Sequence, residues 1–177
     1  MSDKLKLIVG LGNPGAQYAS TRHNVGACFI EQVAAGQSFK LEKKFKAAIC
    51  KKQIAGQDVL LAIPTTFMNL SGEAVGAIAN FYKLSPESIL IAHDELDFPA
   101  GIAKLKFDGG LGGHNGLRSI PSHLGTQAYY RLRIGIDHPG IGRDVSDYVL
   151  SKPSRADREE IEASLWQAEK VLDEVVD

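Results

Sequence analysis

Side chains that could perform acid–base chemistry recur in five short segments of this 177-residue chain. Each segment follows an apolar run typical of a strand or lies in a glycine-rich turn. Asn offers an ester or amide group both a donor and an acceptor, and His paired with Asp is the usual general base near neutral pH. The segments are Gly12-Asn13-Pro14-Gly15, Arg22-His23-Asn24, Phe67-Met68-Asn69, His93-Asp94-Glu95 and Gly113-His114-Asn115-Gly116.

Each of these residues also has an ordinary structural explanation. Asn13 could cap a turn, and Asn115 could occupy a left-handed backbone position between glycines. His93 precedes Asp94 in an apolar strand, so it should point to the opposite face and pack there. His114 should order its own loop. The joint occurrence of all five segments favours a reaction centre over these separate explanations.

Several common chemistries lack support in the sequence. Gly10-x-Gly12-x-x-Gly15 follows a strand and matches the dinucleotide-binding motif, but Pro14 lacks an amide and helical periodicity begins only beyond Asn24. Nucleotide binding stays open as an alternative that a titration with NAD or ATP would test. The chain has no Gly-x-Ser-x-Gly and no His-Glu-x-x-His motif, so we predict a non-covalent reaction without metal or cofactor.

The elements that must position these residues alternate along the chain. Apolar patterning predicts strands at about 5–9, 47–54, 58–63, 88–92, 102–107 and 131–136, and helices at about 25–33, 73–84, 117–124 and 155–177. Alternating strands and helices are typical of an α/β domain, and a hairpin signal at Ala55-Gly56-Gln57 favours a mixed sheet. We therefore predict one domain over residues 1–177, with a twisted mixed sheet between two helical layers. Loops that follow different strands should converge beyond the carboxyl ends of the sheet.

The net charge of −1 conceals an uneven distribution. Residues 155–177 hold eight acids and three bases, whereas the first 154 residues hold 17 bases and 13 acids. Lysines are dense over residues 40–52, and residues 109–136 contain no acid. This local positive charge could attract a polyanion, although charge alone favours a solvated, salt-tolerant surface.

Membrane insertion and disulfide stabilisation are both unsupported. No apolar run approaches the roughly 18 residues of a membrane span, and the first residues show no signal-peptide pattern. Two cysteines, Cys28 and Cys50, are too few for a disulfide framework. We expect a cytoplasmic protein.

Four motifs keep a fixed order and spacing along the chain. They are Gly-Leu-Gly-Asn13-Pro-Gly-x-x-Tyr18-x-x-Thr-Arg-His23-Asn, Thr-Thr-Phe67-Met68-Asn69-x-Ser-Gly, His-Asp94-Glu-Leu-Asp and Gly-Gly-His114-Asn115-Gly-Leu. Together they resemble the bacterial peptidyl-tRNA hydrolase family over about residues 6–152. The resemblance implies hydrolysis of the ester between a peptide and the 3′ end of tRNA, by an enzyme that is usually monomeric and needs no metal.

The resemblance also implies a role for each matching residue. His23 resembles the catalytic base that activates water, and Asp94 resembles the partner that keeps it basic and oriented. Asn13 resembles the residue that distinguishes a peptidyl group from a free aminoacyl group. Contacts with the tRNA or the peptide end are implied for Tyr18, Phe67, Asn69 and Asn115, with Met68 in the wall of the same cleft.

Basic residues in and around the acid-free stretch are then predicted to hold the phosphates of the acceptor stem, a salt-sensitive contact. They are Lys104, Lys106, Arg131, Arg133 and Arg143. Two positions depart from the family pattern. Asp108 stands where a glycine run usually begins and adds a negative charge there, and Arg143 stands where lysine is frequent. The alternative to an esterase is a non-catalytic RNA-binding relative, which would have no use for the His23–Asp94 pair.

Overall fold

The computed structural model describes residues 4–176, which form one continuous sheet flanked by helices. The strands are β1 (Leu7–Gly10), β2 (Lys40–Glu42), β3 (Ala47–Ile54), β4 (Gln57–Pro64), β5 (Ile89–Glu95), β6 (Ala103–Phe107) and β7 (Tyr130–Gly135). The α-helices are α1 (Val25–Ala34), α2 (Ser71–Tyr82), α3 (Asn115–Leu124), α4 (Val145–Val149) and α5 (Arg155–Val176). None of the helices within this described part of the chain is long and apolar enough to cross a membrane.

The sheet is mixed, as the sequence predicts. Its spatial order is β2-β3-β4-β1-β5-β7-β6. β1 pairs in parallel with β4 and β5, and β5 pairs in parallel with β7. β3 and β6 run antiparallel to their neighbours. The carboxyl ends of β1, β4, β5 and β7 therefore lie along the same edge of the sheet.

Alternation along each strand produces two apolar layers. In β1, Leu7 and Val9 pack on the face covered by α2 and α3, whereas Ile8 packs on the face covered by α1 and α5. Burial on both faces explains why β1 and the first part of β5 are apolar at every position. The predicted three-layer α/β/α arrangement is confirmed.

The first turn of α1 lies directly on the sheet because two glycines allow it. A Cβ atom on Gly26 would be 2.2 Å from the carbonyl oxygen of Ala92, and one on Gly10 would be 2.3 Å from the carbonyl oxygen of Gly26. Side chains at these positions would push the helix away from β1 and β5. This close approach places His23, just before α1, over the end of β5.

Some element boundaries differ from the prediction. β5 continues through His93 and Asp94 to Glu95, because β7 supplies backbone partners up to Gly135. The helical spacing of residues 73–84 predicts that Tyr82 faces inward, but Tyr82 is the last residue of α2 and is 37% exposed. β2 and α4 are too short to show a periodicity and are absent from the prediction. The predicted end of the last helix, Asp177, lies outside the described residues.

Candidate active site

His23 and Asp94 meet at the carboxyl end of β5. His23 lies in a short 3₁₀ turn (Arg22–Asn24) before α1, and its Nδ1 is 2.8 Å from Oδ2 of Asp94. His23 is 8% exposed and Asp94 4%, so little water reaches the hydrogen bond between them. The structure thus brings together two side chains 71 residues apart, as a shared crevice requires.

His114 binds the other oxygen of the same carboxylate. Its Nε2 is 2.7 Å from Oδ1 of Asp94, and its Nδ1 accepts hydrogen bonds from the backbone N–H groups of Gly116 and Leu117 at 3.1 and 3.2 Å. Because Nδ1 is an acceptor, the proton of the neutral ring is on Nε2. His114 therefore caps α3 and donates to Asp94 at the same time.

Asp94 is held as a carboxylate by these two imidazoles. Burial alone would raise its pKa, but attraction to His114 and the hydrogen bonds from His114 and His23 hold the pKa of Asp94 well below its ordinary value. An ionised carboxylate only accepts, so His23 donates from Nδ1. The lone pair of a neutral His23 is then on Nε2, where it can accept a proton.

Asn13 is fixed by three hydrogen bonds. Its backbone N–H donates to Oδ1 of Asn24, and its carbonyl accepts from Nδ2 of Asn24, both at 2.9 Å. Its own Oδ1 accepts from the backbone N–H of Met68 at 2.7 Å. With that oxygen occupied, the Nδ2 end of Asn13 presents hydrogen-bond donors. Asn24, one of the polar residues singled out above and a plausible N-cap of α1 from its position, makes no cap hydrogen bond and instead holds the Asn13 loop.

A cavity of about 650 Å³ opens beside His23 and Asp94. Its walls come from the glycine-rich loop at residues 108–113, from the end of β5 and from α4. The polar and charged lining residues are His23, His93, Asp94, Glu95, Asp97, Lys106, Asp108, His114, Asn115, Arg131, Arg133 and Ser146. This volume lies within the range of pockets that hold small organic groups.

The remaining predicted contact residues lie at different depths. Asn115 is exposed and lines the cavity. Tyr18 and Phe67 pack edge to face, with ring centroids 6.3 Å apart, and Phe67 is 55% exposed. Asn69 is exposed in the turn after β4, outside the cavity wall. Met68, in contrast, is buried in the core, and its backbone rather than its side chain contacts Asn13.

The comparisons with known proteins agree with this geometry. The family model described as peptidyl-tRNA hydrolase matches residues 7–177. The chain belongs to the peptidyl-tRNA hydrolase family. A family member from Pseudomonas fluorescens (strain SBW25) is 54% identical over 164 residues, which is 91% of this chain and 84% of the relative. Another, from Coxiella burnetii (strain CbuK_Q154), is 56% identical over 178 residues, covering 99% and 93% of the two chains.

Solved structures of peptidyl-tRNA hydrolases have the same fold. The crystal structure of the enzyme from Acinetobacter baumannii matches with a TM-score of 0.95 at 44% sequence identity, over 99% of this chain and 90% of that one. A complex of a peptidyl-tRNA hydrolase with N-propanol matches with a TM-score of 0.93 at 45% identity, over 97% and 88% of the two chains. These matches confirm the predicted family and the α/β fold.

Arg131, one of the predicted phosphate contacts, is buried with its head against the glycine-rich loop. It is 2% exposed, and its guanidinium donates to the carbonyls of Gly109, Gly110 and Gln127. These hydrogen bonds hold the glycine-rich loop against β7. The prediction that Arg131 contacts phosphate is wrong, because a charge pattern does not reveal which bases bury their heads under a loop.

The other predicted phosphate contacts differ in how free their charges are. Lys104 and Lys106 are exposed on edge strand β6. Arg133 donates from Nε to Glu95 at 3.0 Å and stacks over Phe98, so its charge is partly neutralised. Arg143 is exposed two residues before the part of α4 that lines the cavity. The free positive charge beside the cavity therefore lies mainly on β6.

Asp108, which departs from the family pattern, lies in the wall of the same cavity as Lys106. Its φ is 63°, in the left-handed region that favours glycine, and its Oδ1 accepts from the backbone N–H of Gly109. Aspartate tolerates this conformation better than most residues. The structure thus places an exposed carboxylate beside the lysines of β6.

The glycine motif at residues 10–15 does not form a nucleotide site of the dinucleotide-binding kind. It is followed by a 3₁₀ turn at Ala16–Tyr18, and α1 begins only at Val25. The backbone N–H groups at the start of α1 are thus not presented by the glycines, as pyrophosphate binding requires. The glycines serve instead the close packing of the loop and α1.

His23, Asp94 and His114 are also the described side chains grouped closely enough to hold a metal ion. A metal ligand must offer a lone pair, and the Nε2 atom of His114 that faces Asp94 carries a proton. The ring would have to release its bonds to the α3 backbone before it could bind a metal there. The expected absence of a metal stays a prediction.

His93 is buried, as its position in the strand predicts, and it also lines the cavity beside Asp94. It is 2% exposed, donates from Nδ1 to the carbonyl of Asp94 at 2.8 Å, and lies 5.1 Å from His114 between ring centroids. Its buried Nε2 has no hydrogen-bond partner within residues 4–176. Burial, together with the adjacent His114 ring, lowers the pKa of His93 to about 3, so the ring is neutral when the protein is folded.

Replacement of His93 by Gln should make stability less sensitive to acid. A histidine in the unfolded chain has a pKa near 6.5. Between pH 6.5 and about 3, His93 is therefore protonated in the unfolded chain but neutral in the folded protein. This difference destabilises the fold as pH falls, by roughly 2 kcal/mol between pH 6.5 and 5. Urea unfolding at pH 7.5 and 5 should show a smaller decrease for His93→Gln than for wild type, and an unchanged decrease for exposed His138→Gln. Equal decreases for His93→Gln and wild type would contradict a buried neutral ring.

Proposed function

We propose that His23 is the general base with which this chain hydrolyses the ester of peptidyl-tRNA. As a member of the peptidyl-tRNA hydrolase family, the chain is an enzyme that acts on peptidyl-tRNA and so serves translation. The observation that supports the role of His23 is the 2.8 Å bond from its Nδ1 to Asp94, which leaves the lone pair on Nε2. A positioned base of this kind contributes about 10²–10⁴-fold to a rate.

The reaction needs no covalent intermediate. Nε2 of His23 takes a proton from water while the water oxygen bonds to the ester carbonyl carbon, and the carbonyl electrons move onto oxygen. The tetrahedral species then expels the 3′ oxygen of the terminal ribose, which receives the proton from Nε2. The carbonyl re-forms as that bond breaks, so the products are a tRNA with a free 3′ hydroxyl and a peptide carboxylic acid, which releases its proton to solvent. Asp94 stabilises the imidazolium that exists between the two proton transfers.

Asn13 supplies the selectivity for a blocked amino group. Its Oδ1 accepts from the Met68 backbone, which leaves the Nδ2 donors to bond the carbonyl of an N-acyl group. An unblocked aminoacyl ester carries an ammonium group, which has no acceptor atom for the Nδ2 donors of Asn13. Those donors are then unpaired, and a positive charge lies against them. A site built to bond one group discriminates strongly against a substrate that lacks it.

The substrate follows from the charge around the cavity. We place the acceptor stem along β6, where Lys104 and Lys106 are exposed, and the 3′ end in the cavity beside His23. The proposal further includes a monomeric, cytoplasmic enzyme that uses no cofactor. A non-catalytic RNA-binding relative is not favoured, because a buried His–Asp pair with a third imidazole on the same carboxylate has no purpose in binding alone.

Hydrolysis of N-acetylaminoacyl-tRNA beside the unblocked aminoacyl-tRNA tests reaction, substrate and selectivity together. We expect rapid release from the blocked ester and a rate lower by at least 10²-fold from the free one. Asn13→Ala should lower the ratio of the rate with the blocked ester to the rate with the free ester. Asn80→Ala, on the exposed part of α2, should leave this ratio unchanged. Equal rates for the two esters with wild-type enzyme would reject the selectivity, and no release from either would reject the activity.

Removal of charge from β6 should weaken tRNA binding in a salt-dependent manner. A neutralised lysine that contacts one phosphate loses about one released counterion, so the slope of log affinity against log salt becomes shallower by about one. We expect this for Lys104→Gln and Lys106→Gln, with KM raised and kcat kept, and no change for exposed Lys170→Gln on α5. Slopes equal to wild type in both β6 variants would move the acceptor stem to another surface.

A further inference from the structure

Arg22, the residue before His23, is buried in a set of contacts that does not involve the catalytic groups. It is 9% exposed, and its guanidinium carbon lies 4.0 Å from the ring centroid of Tyr148. Nη1 donates to the carbonyl of Tyr148 at 3.2 Å and also to the hydroxyl of Ser151. The backbone N–H of Arg22 donates to the carbonyl of Ser151 at 3.0 Å.

A buried guanidinium normally pairs with a carboxylate, because an uncompensated charge in the interior is costly. Within residues 4–176, Arg22 instead has a carbonyl, a hydroxyl and an aromatic face. Its Nε is buried and has no hydrogen-bond partner there. Burial of Arg22 without a carboxylate partner is costly, and its side-chain contacts are all with the segment that contains Tyr148 and Ser151. We infer that Arg22 has a role other than general stability.

The segment that Arg22 binds forms a wall of the active-site cavity. Tyr148 belongs to α4, of which Val145, Ser146 and Val149 line the cavity. The hydroxyl of Tyr148 donates to the carbonyl of Ile136 at 2.8 Å, just beyond the end of β7. Arg22 is thus the link through which α4 and the end of β7 are tied to the turn that carries His23.

We propose that Arg22 is a positioning residue that sets the orientation of His23 by fixing its turn to α4. Asp94 bonds one end of the imidazole, and the His114 ring packs 5.1 Å away between centroids, but neither contact holds the backbone from which the ring extends. The contacts of Arg22 fix the backbone immediately before His23 and so define where Nε2 points in the cavity. The inference rests on His23 being the base, and it assigns no contact between Arg22 and the substrate.

Arg22→Met tests this role, because methionine fills similar space without the charge or the donors. A misplaced catalytic group can cost on the order of 10²-fold in rate. We expect kcat to fall by about 10–100-fold with KM within about twofold of wild type, and Arg22→Lys to recover part of the loss because an ammonium can still lie over the Tyr148 ring. Exposed Arg158→Met on α5 is the matched control and should keep wild-type kinetics.

Substitution of Tyr148, the partner of Arg22 on α4, tests the same contact from the other side. It keeps the proposal testable if Arg22→Met does not fold. Tyr148→Leu removes the ring under the guanidinium together with the bond to Ile136, and it should also lower kcat. The loss in Arg22→Met/Tyr148→Leu should be smaller than the product of the two single losses, because the contact between guanidinium and ring is shared. The proposal would be overturned if kcat in the double variant fell by the product of the two single fold-losses. A wild-type kcat in Arg22→Met would also overturn it. A raised KM with an unchanged kcat would also do so, because it would assign Arg22 to binding.

A spectroscopic measurement separates this inference from the proposed function. In histidine-selectively labelled protein, the Nδ1–H resonance of His23 can be assigned by its loss in His23→Ala. Arg22→Met should shift or broaden it, and Arg158→Met should not. If the wild-type chain hydrolyses no blocked ester, the proposed function fails, yet the resonance still decides whether Arg22 positions the ring. An unchanged resonance in Arg22→Met would refute the inference by itself.

Discussion

His23→Ala should reduce the hydrolysis of N-acetylaminoacyl-tRNA by about 10²–10⁴-fold, the share of a rate that a positioned general base supplies. The residual rate would come from the alignment of the ester in the cavity and from the donors of Asn13. Binding of uncharged tRNA should persist, because the exposed lysines of β6 are untouched. The measurement is single-turnover hydrolysis beside a tRNA binding isotherm.

Two controls separate loss of the base from loss of the fold. His123→Ala removes an exposed imidazole from α3 and should leave the rate unchanged. Added imidazole should restore part of the activity of His23→Ala, because it can enter the space left by the ring. A His23→Ala variant with near wild-type turnover would show that another group, or water alone, performs the proton transfer.

The position of this site is foreseeable from local patterns in the sequence. Apolar runs and glycine punctuation predict the order of strands, and parallel strands present their carboxyl ends at one edge. Residues that follow β1 and β4 and those that end β5 must therefore meet there. The encounter of His23 with Asp94 follows from this topology together with the glycines that seat α1 on the sheet.

Contacts that depend on the conformation of a loop are not foreseeable in this way. His114 reaches Asp94 because the loop before α3 folds back over β5, a path that no periodicity describes. Arg131 and Arg133 occupy alternate positions of β7 and both line the cavity, yet they differ in burial and partner. Arg131 is buried and bonded to the glycine-rich loop, whereas Arg133 is partly exposed and bonded to Glu95. Asn24 likewise looks like a helix cap until the Asn13 loop is placed against it. Such roles arise from tertiary packing rather than from residue type.

Asp94→Asn should inactivate the enzyme through the tautomer of His23. The carboxylate now accepts from two imidazoles, one on each oxygen. A carboxamide has one acceptor and one donor group, and His114 must face the acceptor because α3 keeps the proton on its Nε2. The NH₂ group then faces His23, whose Nδ1 has to accept, so its proton moves to Nε2. The ring loses the lone pair that should activate water, and we expect the rate to fall by about 10²–10⁴-fold.

The pH dependence of the hydrolysis rate in Asp94→Asn tests the effect of removing the carboxylate charge. The pKa of Asp94 lies well below its ordinary value, so in wild type the carboxylate stays ionised across the range of a rate profile. Loss of rate in acid therefore reports protonation of an imidazole rather than of Asp94. Asp94→Asn removes the negative charge that faces Nδ1 of His23, so the acid limb of the residual activity should differ from that of wild type. A profile with the same acid limb as wild type would mean that Asp94 does not act through His23.

A second substitution should partly reverse the effect. In Asp94→Asn/His114→Asn, the ring that forced the orientation of the carboxamide is gone, while an asparagine at position 114 can still cap α3. The carboxamide at position 94 is then free to turn its oxygen toward His23 and restore the proton to Nδ1. We expect the double variant to be severalfold faster than Asp94→Asn, although His114→Asn alone should be slower than wild type. A double variant as slow as the product of the two single losses would show that His114 contributes only packing and a helix cap. Because independent losses multiply, a rescue arises only if one carboxylate serves both rings.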